Sequence, residues 1–209
     1  MTDEATQKGG RGESRGPLFL PDEEDIGRDG VEGAALLRSL VRTIPDFPKV
    51  GVQFRDITTL IADGAGFAEA VRQLVTRARP YAPDAIVAVE ARGFLFGAAM
   101  AYEMGLGVVP VRKAGKLPGV TIGADYELEY GVDRLEMHEG ALAAGSRVVL
   151  VDDLLATGGT ILATADLMRQ AGVIPAAALF VIDLPDLGGA RKLAAAGLRA
   201  ETLIDFEGD

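Results

Sequence analysis

The sequence predicts an α/β fold built on a mostly parallel central sheet flanked by helices, and three observations lead there. Four short apolar runs, at 85–89, 108–111, 148–151 and 177–182, are rich in small and branched residues. Runs of that length are too short for ordinary helices and read as strands buried on both faces. Segments of helical period alternate with them, which is the pattern of βαβ units. The chain has 209 residues, 48% hydrophobic and 25% charged, so it is one domain with an ordinary soluble composition and enough length for a sizeable core.

Residues 1–33 stand apart. They hold nine acidic and four basic residues, half of the net charge of −10, with abundant Gly and one apolar island at 17–21. This composition reads as an acidic, disordered tail, and the folded domain as 34–209. A short helix is expected over 34–43, with Leu36, Leu37, Leu40 and Val41 on one face. Pro45 and Pro48 then break the chain before the segment 50–57. An amphipathic helix over 65–79 carries Phe67, Val71, Leu74 and Val75. Strand 85–89 leads into a Gly-rich helix at 94–104, then strand 108–111. Strand 148–151 precedes a helix from Ile161 to Gln170, stopped by Gly172 and Pro175. Strand 177–182, a helix over 186–196 and a short strand at 202–206 complete the chain.

Bulk properties exclude several functions. A net charge of −10 argues against a nucleic-acid or anionic-membrane surface, because phosphate backbones need clustered Lys and Arg. With no Cys, disulfides, thiolate nucleophiles and Cys-ligated metals are impossible, which agrees with a cytoplasmic protein. No apolar run reaches membrane-spanning length, and the N-terminus lacks a secretory apolar region.

The most informative stretch is 147–160, Arg-Val-Val-Leu-Val-Asp-Asp-Leu-Leu-Ala-Thr-Gly-Gly-Thr. A strand ends in two carboxylates, Asp152 and Asp153, and a turn of small and hydroxyl residues follows. Ala156, Thr157, Gly158, Gly159 and Thr160 offer a cluster of N–H donors at a helix N-terminus, a ready site for a phosphate monoester. No Lys precedes Thr160, so this is not the ordinary P-loop. Carboxylates beside an anion site need an intermediary, either a divalent cation or the hydroxyls of a sugar. Consecutive strand residues face opposite ways, so the two aspartates should do different jobs.

Four further segments accompany this turn. They are Phe47-Pro48 with Gly-Val-Gln-Phe-Arg-Asp-Ile over 51–57, Glu-Ala-Arg-Gly-Phe-Leu-Phe-Gly over 90–97, Val-Arg-Lys-Ala-Gly-Lys-Leu-Pro-Gly over 111–119, and Tyr-Glu-Leu-Glu-Tyr-Gly over 126–131. In this order, across roughly 34–206, they resemble the type I phosphoribosyltransferase family, and within it the branch that acts on adenine. The resemblance implies a type I phosphoribosyltransferase fold with a small hood, from about 34–60, and a mobile catalytic loop at about 114–128.

It also implies site roles. Thr157 to Thr160 with Ala156 would hold the 5-phosphate of phosphoribosyl pyrophosphate. Asp152 and Asp153 would hold the ribose hydroxyls, directly or through water and Mg²⁺. Ala91, Arg92, Arg112, Lys113 and Lys116 would bind the diphosphate, the loop at Glu90–Gly93 being one that carries a non-proline cis peptide in some members. Cations there stabilise the negative charge that builds on the leaving group. Phe54 and Leu154 would flank the adenine ring, and backbone groups near Gln53 and Arg55 would read its edge. Glu129 would assist proton movement at the imidazole ring, with Lys113 and Arg92 as the other catalytic groups. Mg²⁺ would be held mainly by substrate oxygens and water, with Asp152 and Asp153 the nearest protein oxygens and no direct protein ligand set. A cytoplasmic homodimer with a purine-salvage role is implied as well.

Two alternatives are weaker. Hypoxanthine/guanine enzymes typically carry Glu-Asp where this chain has Asp152-Asp153, which points away from a 6-oxopurine, xanthine included. A non-catalytic regulator that senses the same sugar phosphate should carry a basic DNA-binding domain, whereas this tail is acidic. Ala114 stands where many relatives have a basic residue, so slower or weaker turnover is the most it should cause. His138, the single His, has no metal-binding neighbour in sequence and reads as a surface or packing residue.

Overall fold

The computed structural model describes residues 29–127 and 131–208. In chain order it contains α1 (Asp29–Leu40), β1 (Arg42–Pro45), β2 (Gln53–Asp56), α2 (Thr58–Ala62), α3 (Gly64–Ala78), β3 (Ala85–Val89), α4 (Gly93–Met104) and β4 (Gly107–Lys113). Then come β5 (Thr121–Glu127), β6 (Val132–His138), β7 (Arg147–Leu155), α5 (Gly159–Gln170), β8 (Ile174–Asp183), α6 (Gly189–Ala195) and β9 (Ala200–Asp205). Seven strands form one sheet in the order β5-β6-β4-β3-β7-β8-β9. The ladder from β4 to β9 is parallel, and the β5–β6 hairpin adds to β4 in antiparallel fashion.

Strand alternation divides the core into two layers. Val148 and Leu150 pack with Val87, Phe180 and the inner face of α5, while Val149 and Val151 pack with Ile86, Leu179 and the helices α3 and α4. All five residues of β3 are buried, as a central parallel strand requires. The polar ends of these strands therefore gather at one edge, where ligands bind in open α/β sheets.

Several expectations need correcting. α1 begins at Asp29 and ends at Leu40, ahead of the expected 34–43; Leu37 and Val41 are buried but Leu36 is 40% exposed. Residues 42–45, expected as the end of that helix and a break, form β1, which pairs only with β2 in a two-stranded ribbon. The ribbon buries little, so it left no apolar signature. The largest correction concerns the expected mobile loop at 114–128: its second half is β5, paired along its length with β6, which the sequence reading did not anticipate. Ala124, Leu135 and Met137 are buried at alternate positions, with Ile122 and Tyr126 packed beside them. β7 also runs past Val151 to Leu155, because β8 keeps pairing with it after β3 has ended, so Asp152, Asp153 and Leu154 belong to the strand. Pro175, read as a stop, sits near the start of β8, beside an irregularity in the ladder to Val148 and Val149. The last helix is shorter than 186–196, since Pro185–Leu187 form a 3-10 turn ahead of it. The acidic tail falls mostly outside the described residues.

Candidate active site

β4, β3 and β7 are neighbours in the sheet, and each ends in a chemically distinct group. β7 supplies two carboxylates and leads into the turn 156–160. Gly158 caps α5 with φ +80°, a conformation that glycine adopts without strain, and no side chain caps the helix. The first N–H groups of α5 thus have no side-chain acceptor and face a pocket lined by Asp152, Leu154, Ala156, Thr157, Gly159 and Thr160. Gly189, at the start of α6, backs this turn so tightly that a Cβ there would overlap the Ala156 carbonyl oxygen.

The two aspartates face different surroundings, as alternation requires. Asp152 lines the pocket, and its Oδ1 accepts the Asp153 backbone N–H at 2.8 Å. Burial, and then the charge of Asp153, push the Asp152 carboxyl well above the usual carboxylate range. Asp153 is 6% exposed and accepts Arg92 Nε at 2.5 Å. Burial works against the Arg92 charge, but Asp153, Asp152 and Asp56 outweigh it and the guanidinium pKa rises.

After β3 comes the turn Glu90–Arg92, whose Glu90–Ala91 peptide is cis. Glu90 Oε2 accepts Arg112 Nε at 2.8 Å, and Arg112 Nη1 donates to the Lys116 carbonyl at 3.1 Å. At the end of β4, Lys113 Nζ lies 2.9 Å from Asp133 Oδ2, and this contact raises the Lys113 pKa. Lys116 is exposed. Arg92, Arg112 and Lys113 therefore surround one strand edge, each paired with a carboxylate. Such an arrangement can hold a polyanion between preorganised cations while the turn of β7 grips a second phosphate.

The two-stranded ribbon carries the apolar contribution. Phe54 packs edge-on against Phe47, ring centroids 5.1 Å apart at 78°, and Phe47 is half exposed. The Arg55 side chain leaves the site: it donates to Thr43 Oγ1 and the Glu207 carbonyl and lies over the Phe206 ring. Only the Arg55 backbone remains available for recognition. Leu154 lines the pocket at the end of β7.

The family profile for the phosphoribosyl transferase domain matches residues 54–189. Adenine phosphoribosyltransferase of Sphingopyxis alaskensis is 78% identical over 192 residues, covering 92% of this chain and all of that protein. The chain belongs to the adenine phosphoribosyltransferase family. Among solved structures of adenine phosphoribosyltransferases, that from Thermoanaerobacter pseudethanolicus superposes with a TM-score of 0.79 at 47% identity, covering 83% of this chain and 99% of that one. The Saccharomyces cerevisiae enzyme, solved with adenine and an imino-altritol bisphosphate, gives 0.77 at 37% identity, with coverage of 83% and 99%.

Against this adenine phosphoribosyltransferase framework, the structure brings together Ala91, Arg92, Arg112, Lys113, Asp152, Asp153 and the turn 156–160 on adjacent strand ends. Gln53 and Phe54 sit in β2, paired with Pro45 and Ile44. Glu129 lies outside the described residues. His138 Nε2 lies 2.8 Å from the Pro118 carbonyl oxygen. Four residues that sequence reasoning missed stand beside the site: Asp56, Tyr126, Asp133 and Gly189. The alternation of Ile122, Ala124 and Tyr126 could have revealed the hairpin, and with it Tyr126.

Proposed function

We propose that the protein transfers the 5-phosphoribosyl group of phosphoribosyl pyrophosphate to adenine, giving AMP and diphosphate. The observation that carries this is the juxtaposition, on three neighbouring strands, of a phosphate-gripping turn, a carboxylate pair and a cluster of cations. These match, in order, the 5-phosphate, the ribose hydroxyls and the diphosphate of one substrate. The turn 156–160 holds the 5-phosphate and Asp152 with Asp153 the ribose. Ala91, Arg92, Arg112, Lys113 and Lys116 hold the diphosphate. Phe54 and Leu154 cover the base, whose edge is read by the backbone near Gln53 and Arg55.

The C1–O bond to diphosphate breaks first, the developing negative charge being taken by Arg92, Arg112 and Lys113. Adenine N9 then attacks the oxocarbenium-like C1 from the opposite face, and Glu129 receives the N9 proton. Positioning and electrostatics suffice, with no covalent enzyme intermediate. The loop at about 114–120, ahead of β5, closes over the site to exclude water.

Among the described residues no three His, Cys, Asp or Glu gather as a metal cage. Hard carboxylate oxygens at Asp152 and Asp153 nonetheless suit Mg²⁺ that keeps its waters and substrate oxygens. When bound, the cation neutralises diphosphate charge. Among the described residues no helix is long and apolar enough to cross a membrane. We place the enzyme in the cytoplasm as a homodimer serving purine salvage, on the strength of the family.

An assay with phosphoribosyl pyrophosphate, Mg²⁺ and each of adenine, hypoxanthine, guanine and xanthine tests the reading. Adenine should be converted fastest. Equal conversion of an oxopurine would overturn the specificity, and no conversion of any base would overturn the activity.

A further inference from the structure

We infer that Asp133 is the intramolecular counter-anion of Lys113, a positioning residue that competes with diphosphate for that cation and eases release of the product. Asp133 and Tyr126 are cross-strand partners near the end of the β5–β6 hairpin. Asp133 Oδ2 accepts Lys113 Nζ at 2.9 Å and the Tyr126 hydroxyl at 3.2 Å, while Oδ1 accepts the Arg134 N–H at 2.9 Å. Every oxygen of this carboxylate is therefore engaged, and its position is fixed from both strands. Tyr126, Asp133 and Lys113 thus form one connected group across β5, β6 and β4.

The electrostatics set the direction of the effect. Lys113 is 56% exposed at its side chain and sits at the strand end where the diphosphate departs. Diphosphate carries more charge than one carboxylate and displaces Asp133 when it binds. The anchored carboxylate stays within a few ångströms, however, and lowers the potential that the bound product feels. When the bond to C1 has broken, Asp133 recaptures Lys113 as diphosphate leaves. Glu90 stands in the same relation to Arg112, but it belongs to the turn that contacts substrate; Asp133 acts only through Lys113.

The inference rests on the reading of Lys113 as a diphosphate ligand, and one set of titrations separates the two. Inorganic pyrophosphate with Mg²⁺ is titrated into the full chain by calorimetry and used as a product inhibitor in the forward assay. Asp133→Asn should bind it about two- to fivefold more tightly, the range expected for one exposed ion pair. The adenine KM should not move, which a general loosening of the hairpin would not permit. Asp133→Glu should restore the wild-type affinity, and in a Lys113→Ala background Asp133→Asn should have no effect. Unchanged or weaker binding in Asp133→Asn overturns the counter-anion role while leaving the site intact, provided that Lys113→Ala weakens binding. If Lys113→Ala changes nothing, both readings fail. Tyr126→Phe supplies a second test, since it frees the carboxylate without removing its charge: pyrophosphate should then bind no more tightly than in the wild type.

Discussion

Arg92 donates Nε to Asp153 Oδ2 at 2.5 Å, tying the turn after β3 to the acidic end of β7. The pair is asymmetric, Arg92 being 47% exposed at its side chain and Asp153 only 8%. Asp153 therefore depends on Arg92 for its orientation more than the reverse. Arg92→Lys keeps the charge but loses the planar fork that can hold Asp153 with Nε while other donors face an anion. A charge-assisted hydrogen bond contributes about 1.5–3 kcal/mol, so kcat/KM for phosphoribosyl pyrophosphate should fall about 10- to 100-fold. Asp153→Asn should lose turnover comparably with the fold intact by circular dichroism. Near-normal steady-state rates in either variant would remove the proposed role of the pair.

Asp152 should limit stability. Its carboxyl is pushed up by burial, so the folded chain holds that proton longer than the unfolded one. The contribution favours folding below the ordinary carboxylate value and is lost as pH rises through the folded value. Asp152→Asn removes the buried charge and should melt about 2–4 °C higher at neutral pH while losing activity. A lower melting temperature at pH 7 would show that Asp152 holds the turn together.

The Asp56 carboxyl behaves in the opposite way. Hydrogen bonds from the Thr58 side chain, then Arg42, then the Thr58 backbone hold it at about 2 against an ordinary 3.8. On acidification the unfolded chain takes up this proton first, so the stabilisation is complete above about pH 4 and drains away between there and about pH 2. Urea unfolding at pH 6 and pH 3 should show wild type losing more stability than Asp56→Asn. Parallel losses in the two proteins would contradict this.

Gly189 lies outside every motif, yet a methyl group there would collide with the Ala156 carbonyl and crowd Leu155. Gly189→Ala should destabilise by about 1–3 kcal/mol and raise the KM for phosphoribosyl pyrophosphate more than that for adenine. Separate KM measurements for the two substrates decide the point.

The parallel core was legible because β3, β4, β7 and β8 carry continuous apolar runs, which burial on both faces demands. The reading stopped where that demand stops. Val151 looked like the end of β7 because Asp152 is polar, but hydrogen bonding to β8 needs no apolar side chain and continues to Leu155. The β1–β2 ribbon stayed invisible since Arg42, Thr43 and Pro45 bury nothing against the core. At the site, Arg92, Arg112, Lys113 and the aspartates were recognisable from motif order. The carboxylate that pairs with Lys113 was not, because Asp133 meets that cation only through the packing of β6 beside β4.

The order β4-β3-β7 has a metric consequence. Adjacent strands in a sheet lie about 4.8 Å apart, so the outer two of these three chain ends stand roughly 10 Å from each other whatever their loops do. On the proposed reading, the backbone ladder sets the span between the groups that would hold the diphosphate and those that would hold the 5-phosphate. Insertions in the loops between these strands would change the rim of the site without altering that gauge, whereas a one-residue slip of β7 against β3 would exchange the faces of both aspartates at once.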